Sequence, residues 1–334
     1  FPRHKRMCQA LISAGHTVIC LAPPGYEAVG VKVINFVCHK LPNYGFVGLY
    51  FKLLITILKN HTFFKNVDAI FTIREYDALC MLGIPHFSRS HKVFLSRGDV
   101  ISLIKINSPR NVTFGGKLKC RFTLWFYPVI QKIVLKFSDV VVVQAQFLMT
   151  LFQDRHLFDF NGVILNNDCP PAPQQASSES VFNLTDHRIN LAFISPIWWD
   201  CKGVGVIVGA IKELEKRNVK YNFHIIGDGP DHQRMQYAIN STGENHNVIW
   251  YGWLKDIAKV MPAIDLVIVP SLYDSNPNLV LEMLALKKAV LASDIDAHKA
   301  MLVHRELLFK NTDVMDLCDR IELFYSSELE RKTV

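Results

Sequence analysis

The chain has 334 residues, 50% hydrophobic and 20% charged, which excludes a disordered chain and is long enough for two domains with their own cores. Its net charge of +7 is uneven: residues 1–180 carry 20 Lys/Arg against 10 Asp/Glu, about +10, and residues 181–334 carry 17 against 20, about −3. A basic first half points to an anionic partner such as a membrane surface or a lipid-linked phosphate, unless it serves solubility alone; nucleic acid is not expected, because the aromatics sit inside apolar runs and no nucleic-acid-binding motif occurs.

In chain order, a helix closes at Leu11–Ala14, Gly15-His16 is its C-cap turn, and residues 17–22 form a strand. Further strands are predicted at Ala69–Ile73, Lys92–Ser96, Val140–Val143 and Val163–Leu165. Two stretches mix apolar and basic residues, Tyr44–Phe64 and Leu124–Phe137. Lys52 interrupts the first, which is too short for a membrane span. Each fits either an amphipathic interfacial helix or a core helix, and the core reading is preferred for the second. The Pro- and Ser-rich residues 170–180 are the best linker. A second alternating set follows, with strands at Ile189–Ile194, Asn222–Ile226, Val248–Tyr251, Leu266–Val269 and Ala289–Ala292. Such alternation implies α/β domains with parallel sheets, whose ligands sit outside the carboxyl ends of the strands.

The eight cysteines contain no Cys-x-x-Cys pair and the 13 histidines no ligand spacing, so buried thiols in a reducing compartment and no metal are expected. No signal peptide is recognised at the start, and the expected location is cytoplasmic, free or at the inner face of a membrane. The sequons at Asn60, Asn111, Asn183 and Asn240 are then inert.

The most informative segment runs from Pro270 to Glu282. An apolar strand, Ile264–Val269, turns through Ser275-Asn276-Pro277-Asn278 into an apolar helix, Leu279–Leu286. Asp274 and Glu282 bracket a helix N-terminus whose amides can meet an anion. A sugar joined to a nucleoside diphosphate suits that layout: one carboxylate accepts sugar hydroxyls, the other ribose hydroxyls. A plain capped strand–turn–helix reads the same way.

The neighbouring residues add a resemblance. Asp274-Ser-Asn-Pro277-x4-Glu282-Met resembles the acidic-x7-acidic motif of retaining, nucleotide-sugar-dependent glycosyltransferases of GT-B fold, family 4 type (group 1), which usually reads Glu-Gly-x-Pro-x4-Glu-Ala. Residues 288–294, Lys-Ala-Val-Leu-Ala-Ser-Asp, are similar to the family's next strand. The resemblance covers roughly residues 1–315 and is strongest over 194–294. It implies two Rossmann-like domains, residues 1–172 on the acceptor side and 173–334 on the donor side, with parallel sheets facing an interdomain cleft. It also implies a metal-independent hexosyltransferase that needs no cofactor. The donor would be a UDP- or GDP-linked sugar, and the acceptor a glycan or lipid-linked molecule, as in polysaccharide biosynthesis.

Matched residue by residue, Gly227-Asp228-Gly229-Pro230 corresponds to the family's Gly-x-Gly-Pro turn, where glycines allow backbone to approach a ligand. Trp253 and Leu254 stand where the base is held, with core packing as the alternative for Trp253. Ser275, Asn276, Pro277, Asn278 and Leu279 would line the phosphates. Lys202-Gly203 resembles the end of a Gly-Arg-Leu-x3-Lys-Gly turn, with Lys202 neutralising the leaving diphosphate. Pro196 or Ile197 replaces the usual Arg. Arg97 could supply that charge, and Asp99 could meet an acceptor hydroxyl, unless residues 97–99 are an ordinary turn. Arg74-Glu75 and the loop Ser108–Lys117 are softer candidates of the same kind. The family's first strand and Gly loop are missing and its closing helix is short, so the chain is expected to be a fragment or to have unusual ends. Two rivals stay open: a non-catalytic or truncated GT-B protein, and a GT-B nucleotide-sugar epimerase.

Overall fold

In a computed structural model, residues 2–22, 25–35, 45–107, 114–167, 188–241, 243 and 247–333 are described. The linker expected at 170–180, the boundary at 172/173, residues 108–113 of the Ser108 loop and the sequons at Asn111 and Asn183 lie outside them. By contact the chain divides into two compact units, residues 1–95 with 130–141, and residues 96–129 with 142–334.

The elements of the first half are α1 (Pro2–Ser13), β1 (Ile19–Ala22), β2 (Lys32–Asn35), α2 (Gly45–Lys59), α3 (His61–Phe64), β3 (Ala69–Thr72), α4 (Glu75–Leu82), β4 (His91–Leu95), α5 (Val100–Asn107), α6 (Phe114–Phe137), β5 (Val140–Val143), α7 (Gln146–His156) and β6 (Gly162–Ile164). Gly15 ends the first helical region at φ +89°, a left-handed position that glycine adopts without a Cβ clash. In the first unit β1 pairs with β2 and β3 with β4, both in parallel. Leu53 and Ile57 of α2 pack with Phe64, Ile70, Cys80 and Phe87 into its core. Phe51, Ile55 and Leu58 of α2 are exposed, so that helix serves as a core element on one face only. Arg74 pairs with Asp77 at 2.7 Å, and Glu75 is buried in the first turn of α4.

The second half carries β7 (Ile189–Ile194), α8 (Val204–Lys216), β8 (Tyr221–Ile226), α9 (His232–Asn240), β9 (Val248–Gly252), β10 (Leu266–Val269), α10 (Asn278–Ala285), β11 (Ala289–Ser293), α11 (Asp296–Lys299), β12 (Leu308–Phe309) and α12 (Val314–Thr333). Six strands form one sheet in the order β12-β11-β10-β7-β8-β9, and every pair is parallel. All six residues of β7 and all four of β10 are buried, the signature of strands covered on both faces. Alternate side chains divide between two layers. Leu191, Phe193, Leu266 and Ile268 pack beneath α8 and α12, while Ala192, Ile194, Val267 and Val269 face Val280 and Met283 of α10.

Polar groups in this sheet are paired. The buried His224 ring lies 2.8 Å from the Tyr251 hydroxyl and 3.2 Å from Asn190 Oδ1, and Asp265 accepts from the Asn190 amide at 2.8 Å. Burial pushes the imidazole down to about 4. Of the six described cysteines, Cys8, Cys80, Cys201 and Cys318 are buried and Cys20 and Cys120 half-buried, all as free thiols.

Candidate active site

The strand order fixes where a ligand site belongs. From β7 the chain first adds β8 and β9 on one side, then crosses back to add β10, β11 and β12 on the other. The connections leaving β7 and β10 therefore diverge, and a crevice opens at their carboxyl ends. Those ends carry Lys202 and Asp274.

Lys202 closes the turn after β7. Its N–H donates to Trp198 O at 3.1 Å, and Leu272 N–H donates to Cys201 O at 3.0 Å, which ties this turn to the loop after β10. Gly203 sits at φ +65°, and a Cβ there would lie 1.9 Å from the Pro270 carbonyl oxygen, so only glycine permits the approach. The result is an ion pair: Lys202 Nζ lies 2.8 Å from Asp274 Oδ2, with side chains 25% and 20% exposed. The other Asp274 oxygen accepts the Ser275 N–H at 2.9 Å.

Ser275 Oγ donates to Arg97 O at 2.6 Å. Arg97, with an exposed side chain, is thus anchored by its main chain to the loop that carries Asp274. Gly98, at φ +147°, admits Ser275 and the Tyr273 hydroxyl, each 3.0 Å from where a Cβ would stand. That hydroxyl accepts from Asp99 N–H. Burial holds the Tyr273 phenol well above its ordinary range.

Asp99 is occupied. Arg155 donates to its two oxygens at 2.5 and 2.6 Å, and Ser102 N–H donates to Oδ2 at 3.0 Å, capping α5. Burial pushes this carboxyl up, but the Arg155 and Ser102 hydrogen bonds outweigh it and hold it below the usual carboxylate range. Its side chain is fully buried, so Asp99 braces the site rather than meeting a hydroxyl.

The expected phosphate-side amides divide in the same way. Asn276 Nδ2 donates to Gln144 O at 2.8 Å. Asn167 Nδ2 reaches Asn276 O at 2.8 Å and Asn278 Oδ1 at 2.9 Å, and Gln144 Nε2 reaches Asn167 Oδ1 at 2.7 Å. These amides hold the loop. Pro277 is the N-cap of α10 and offers no side-chain cap bond, and Leu279 and the half-buried Glu282 follow on that helix.

In the Gly227–Pro230 turn, packing within the unit by itself requires both glycines. A Cβ at Gly227 would lie 2.0 Å from Ser195 O, and one at Gly229 2.5 Å from Ile197 O. They admit the turn after β7, and Ile197 N–H donates to Asp228 O at 3.0 Å. An open pocket of about 420 Å³ borders this turn, lined by Asp228, Gly229, Pro230, His232 and Gln233. Trp253 is 69% exposed and Leu254 half-buried after β9, which removes the core-packing alternative for Trp253.

Sequence reasoning missed Tyr273, Arg155, Gln144 and Asn167, whose partners stand far away in the chain. It also missed His298. That buried imidazole lies 2.8 Å from Ser293 O and so donates from Nδ1, while Ser293 Oγ donates to Ser271 O at 2.6 Å. Among the described residues its Nε2 has no hydrogen-bond partner. Burial lowers its pKa, and the opposed charges of Asp274 and Lys202 both reach it.

Residues 188–327 match the family described as Glycosyl transferases group 1. Among curated proteins, Protein CapJ of Staphylococcus aureus is 29% identical over 134 residues, 39% of this chain and 34% of that protein. The uncharacterized glycosyltransferase MJ1059 of Methanocaldococcus jannaschii is 23% identical over 203 residues, 56% of this chain and 46% of that protein. The aligned regions thus span less than half of either relative. Among solved structures, sucrose-phosphate synthase from Thermosynechococcus elongatus superposes with a TM-score of 0.75 at 15% identity, covering 96% of this chain and 82% of that one. Anabaena HepE in complex with UDP and glucose superposes with a TM-score of 0.66 at 15% identity, covering 96% and 85%.

Proposed function

We infer, from the GT-B fold and from the match of residues 188–327 to the group 1 glycosyltransferase family, that the chain is a glycosyltransferase of that type. From that premise we propose that it transfers a sugar from a nucleoside-diphosphate sugar to a glycan or lipid-linked acceptor, with retention at the anomeric carbon. The observation that carries this reading is the partly exposed Lys202–Asp274 pair at the switch point of the donor-side sheet. Lys202 neutralises the departing diphosphate, helped by Arg97 and the first amides of α10. Asp274 and Glu282 accept sugar and ribose hydroxyls, and Trp253 stacks on the base. The bond from the anomeric carbon to the phosphate oxygen breaks, with its electron pair going to that oxygen. The acceptor oxygen bonds the same carbon on the same face, and its proton passes to the leaving phosphate. With cations and amides supplying the charge, turnover is expected to survive a chelator. A UDP donor is favoured by the UDP and glucose in the HepE complex.

The test is binding and turnover of a UDP-, GDP- and ADP-sugar panel by the wild type and by Glu282→Ala. Selective binding and transfer, lost in a folded variant, supports the reading. Unchanged turnover in Glu282→Ala overturns it. Binding without transfer leaves a non-catalytic protein, and an altered nucleotide sugar formed without acceptor indicates an epimerase.

A further inference from the structure

Helix α6 departs most from the sequence expectation. The preferred reading of 124–137 was a core helix, and part of it is: Tyr127 is buried, as are Ile130 and Val134. Yet the turns before residue 130 expose a second apolar face. Leu118, Phe122, Trp125, Phe126 and Val129 are all exposed, Phe122 at 63% and Trp125 at 72%. Their spacing of three and four puts them on one side of the helix. The rings form a continuous plate: Phe122 stacks on Phe126 at 6.0 Å between centroids, and Phe126 on Trp125 at 6.4 Å. Large aromatics held together in water at such exposure are costly unless something covers them.

Charge narrows the choice of what covers them. Lys117 and Arg121 are exposed beside the plate. Between Asp99 and Asp139 the sequence has seven Lys/Arg and no Asp or Glu. A second copy meeting this face about a twofold axis would bring like charges together. A surface of anionic lipid headgroups would instead match the cations while the rings sit at the headgroup–acyl boundary, where Trp and Phe are favoured. No helix among the described residues is long and apolar enough to cross a membrane, so this contact lies along the surface.

We propose that the Leu118–Val129 face of α6 docks the protein on an anionic lipid bilayer, with Phe122, Trp125 and Phe126 inserted at the interface and Lys117 and Arg121 paired with headgroups. This deepens the lipid-linked acceptor reading by assigning a surface to the membrane contact.

The test is sedimentation of the full chain with vesicles of phosphatidylcholine alone, or mixed with phosphatidylglycerol, at low and high salt. No sugar donor is present, so the outcome is independent of transfer. Tryptophan emission and light scattering are read alongside. The wild type is expected to bind the anionic vesicles and to lose that binding with salt. Its emission should shift to the blue, and Trp125→Phe should abolish the shift although four other tryptophans remain. The triple variant Phe122→Ser/Trp125→Ser/Phe126→Ser should bind about tenfold more weakly or worse, and Lys117→Gln/Arg121→Gln should weaken only anionic binding. All these side chains are exposed, and circular dichroism checks the fold. Equal binding to both vesicle types, no binding to either, or full binding by the triple variant overturns the proposal. So does a wild-type dimer that the triple variant converts to monomer, which would show a second copy on this face.

Discussion

Two ion pairs lie within the same unit and do opposite things. Arg155 and Asp99 are closed off: both carboxylate oxygens are used, Ser102 adds a further bond, and the carboxylate is fully buried. Lys202 and Asp274 are joined by one contact at 2.8 Å and keep a fifth to a quarter of their side chains in solvent. Tyr273 and Ser275, on either side of Asp274, bond to Asp99 and Arg97. The closed pair therefore supports the strip of chain that presents the open one. A buried, fully satisfied pair fixes geometry, whereas a half-open pair can exchange its partner for a ligand.

The sharpest way to break the comparison is to remove one member of each pair. Arg155→Ala should leave a buried carboxylate unpaired and cost about 3–5 kcal/mol of stability, read as a lowered urea midpoint; an unchanged midpoint would mean that the pair is open to water. Lys202→Ala should change stability by no more than about 1 kcal/mol, yet lower sugar transfer roughly 100- to 1000-fold. Equal losses of stability in the two variants would mean that the two pairs do not differ in this way.

His224 extends the contrast to a buried group held neutral by burial. Its folded pKa of about 4 lies below the ordinary 6.5. The unfolded chain then takes up a proton first as pH falls, and stability drops from about pH 6.5 down to 4, by at most roughly 3 kcal/mol. His224→Gln should flatten that slope in urea titrations. Asp99, lowered from 3.8, loses its contribution only as pH falls below that value, so the two groups act in separate windows. The smallest effect is expected from Ser275→Ala, which removes the bond to Arg97 O and should cost about 1 kcal/mol or less, with a modest rise in donor KM.

The predicted strands from 69 onward reappear within a residue or two; the central ones, β7 and β10, are buried on both faces and leave unbroken apolar runs such as Leu266–Val269. The short strands β2 and β12 were missed, with four and two residues and no comparable run. Lys202 and Asp274 were legible through the resemblance of the segments after β7 and β10 to a family's motifs; by itself a Lys before Gly reads equally well as a helix start. Their brace was not: Asp99 and Arg155 are 56 residues apart, and Asn276 and Gln144 are 132 apart. Nothing in the local pattern of Tyr273 separates a core ring from a hydroxyl that receives a main-chain amide. Helix α6 misled for another reason. Apolar residues at helical spacing show that a helix has an apolar face, but not whether it has two or which one the protein covers.

The adjacency of β7 and β10 also sets the order in which this unit can assemble. Leu191 pairs with Leu266 across 75 residues, and the intervening chain includes two whole strands and two helices. β7, β8 and β9 can associate through nearer neighbours, but one edge of β7 stays unmatched until residue 269 has been made. Closing so long a loop is entropically slow. During synthesis, a half-sheet with an exposed apolar margin should therefore persist, open to chaperones and to wrong strand pairings. The same late event that covers this margin brings Lys202 to Asp274, so the ion pair forms only as the half-sheet ceases to be vulnerable.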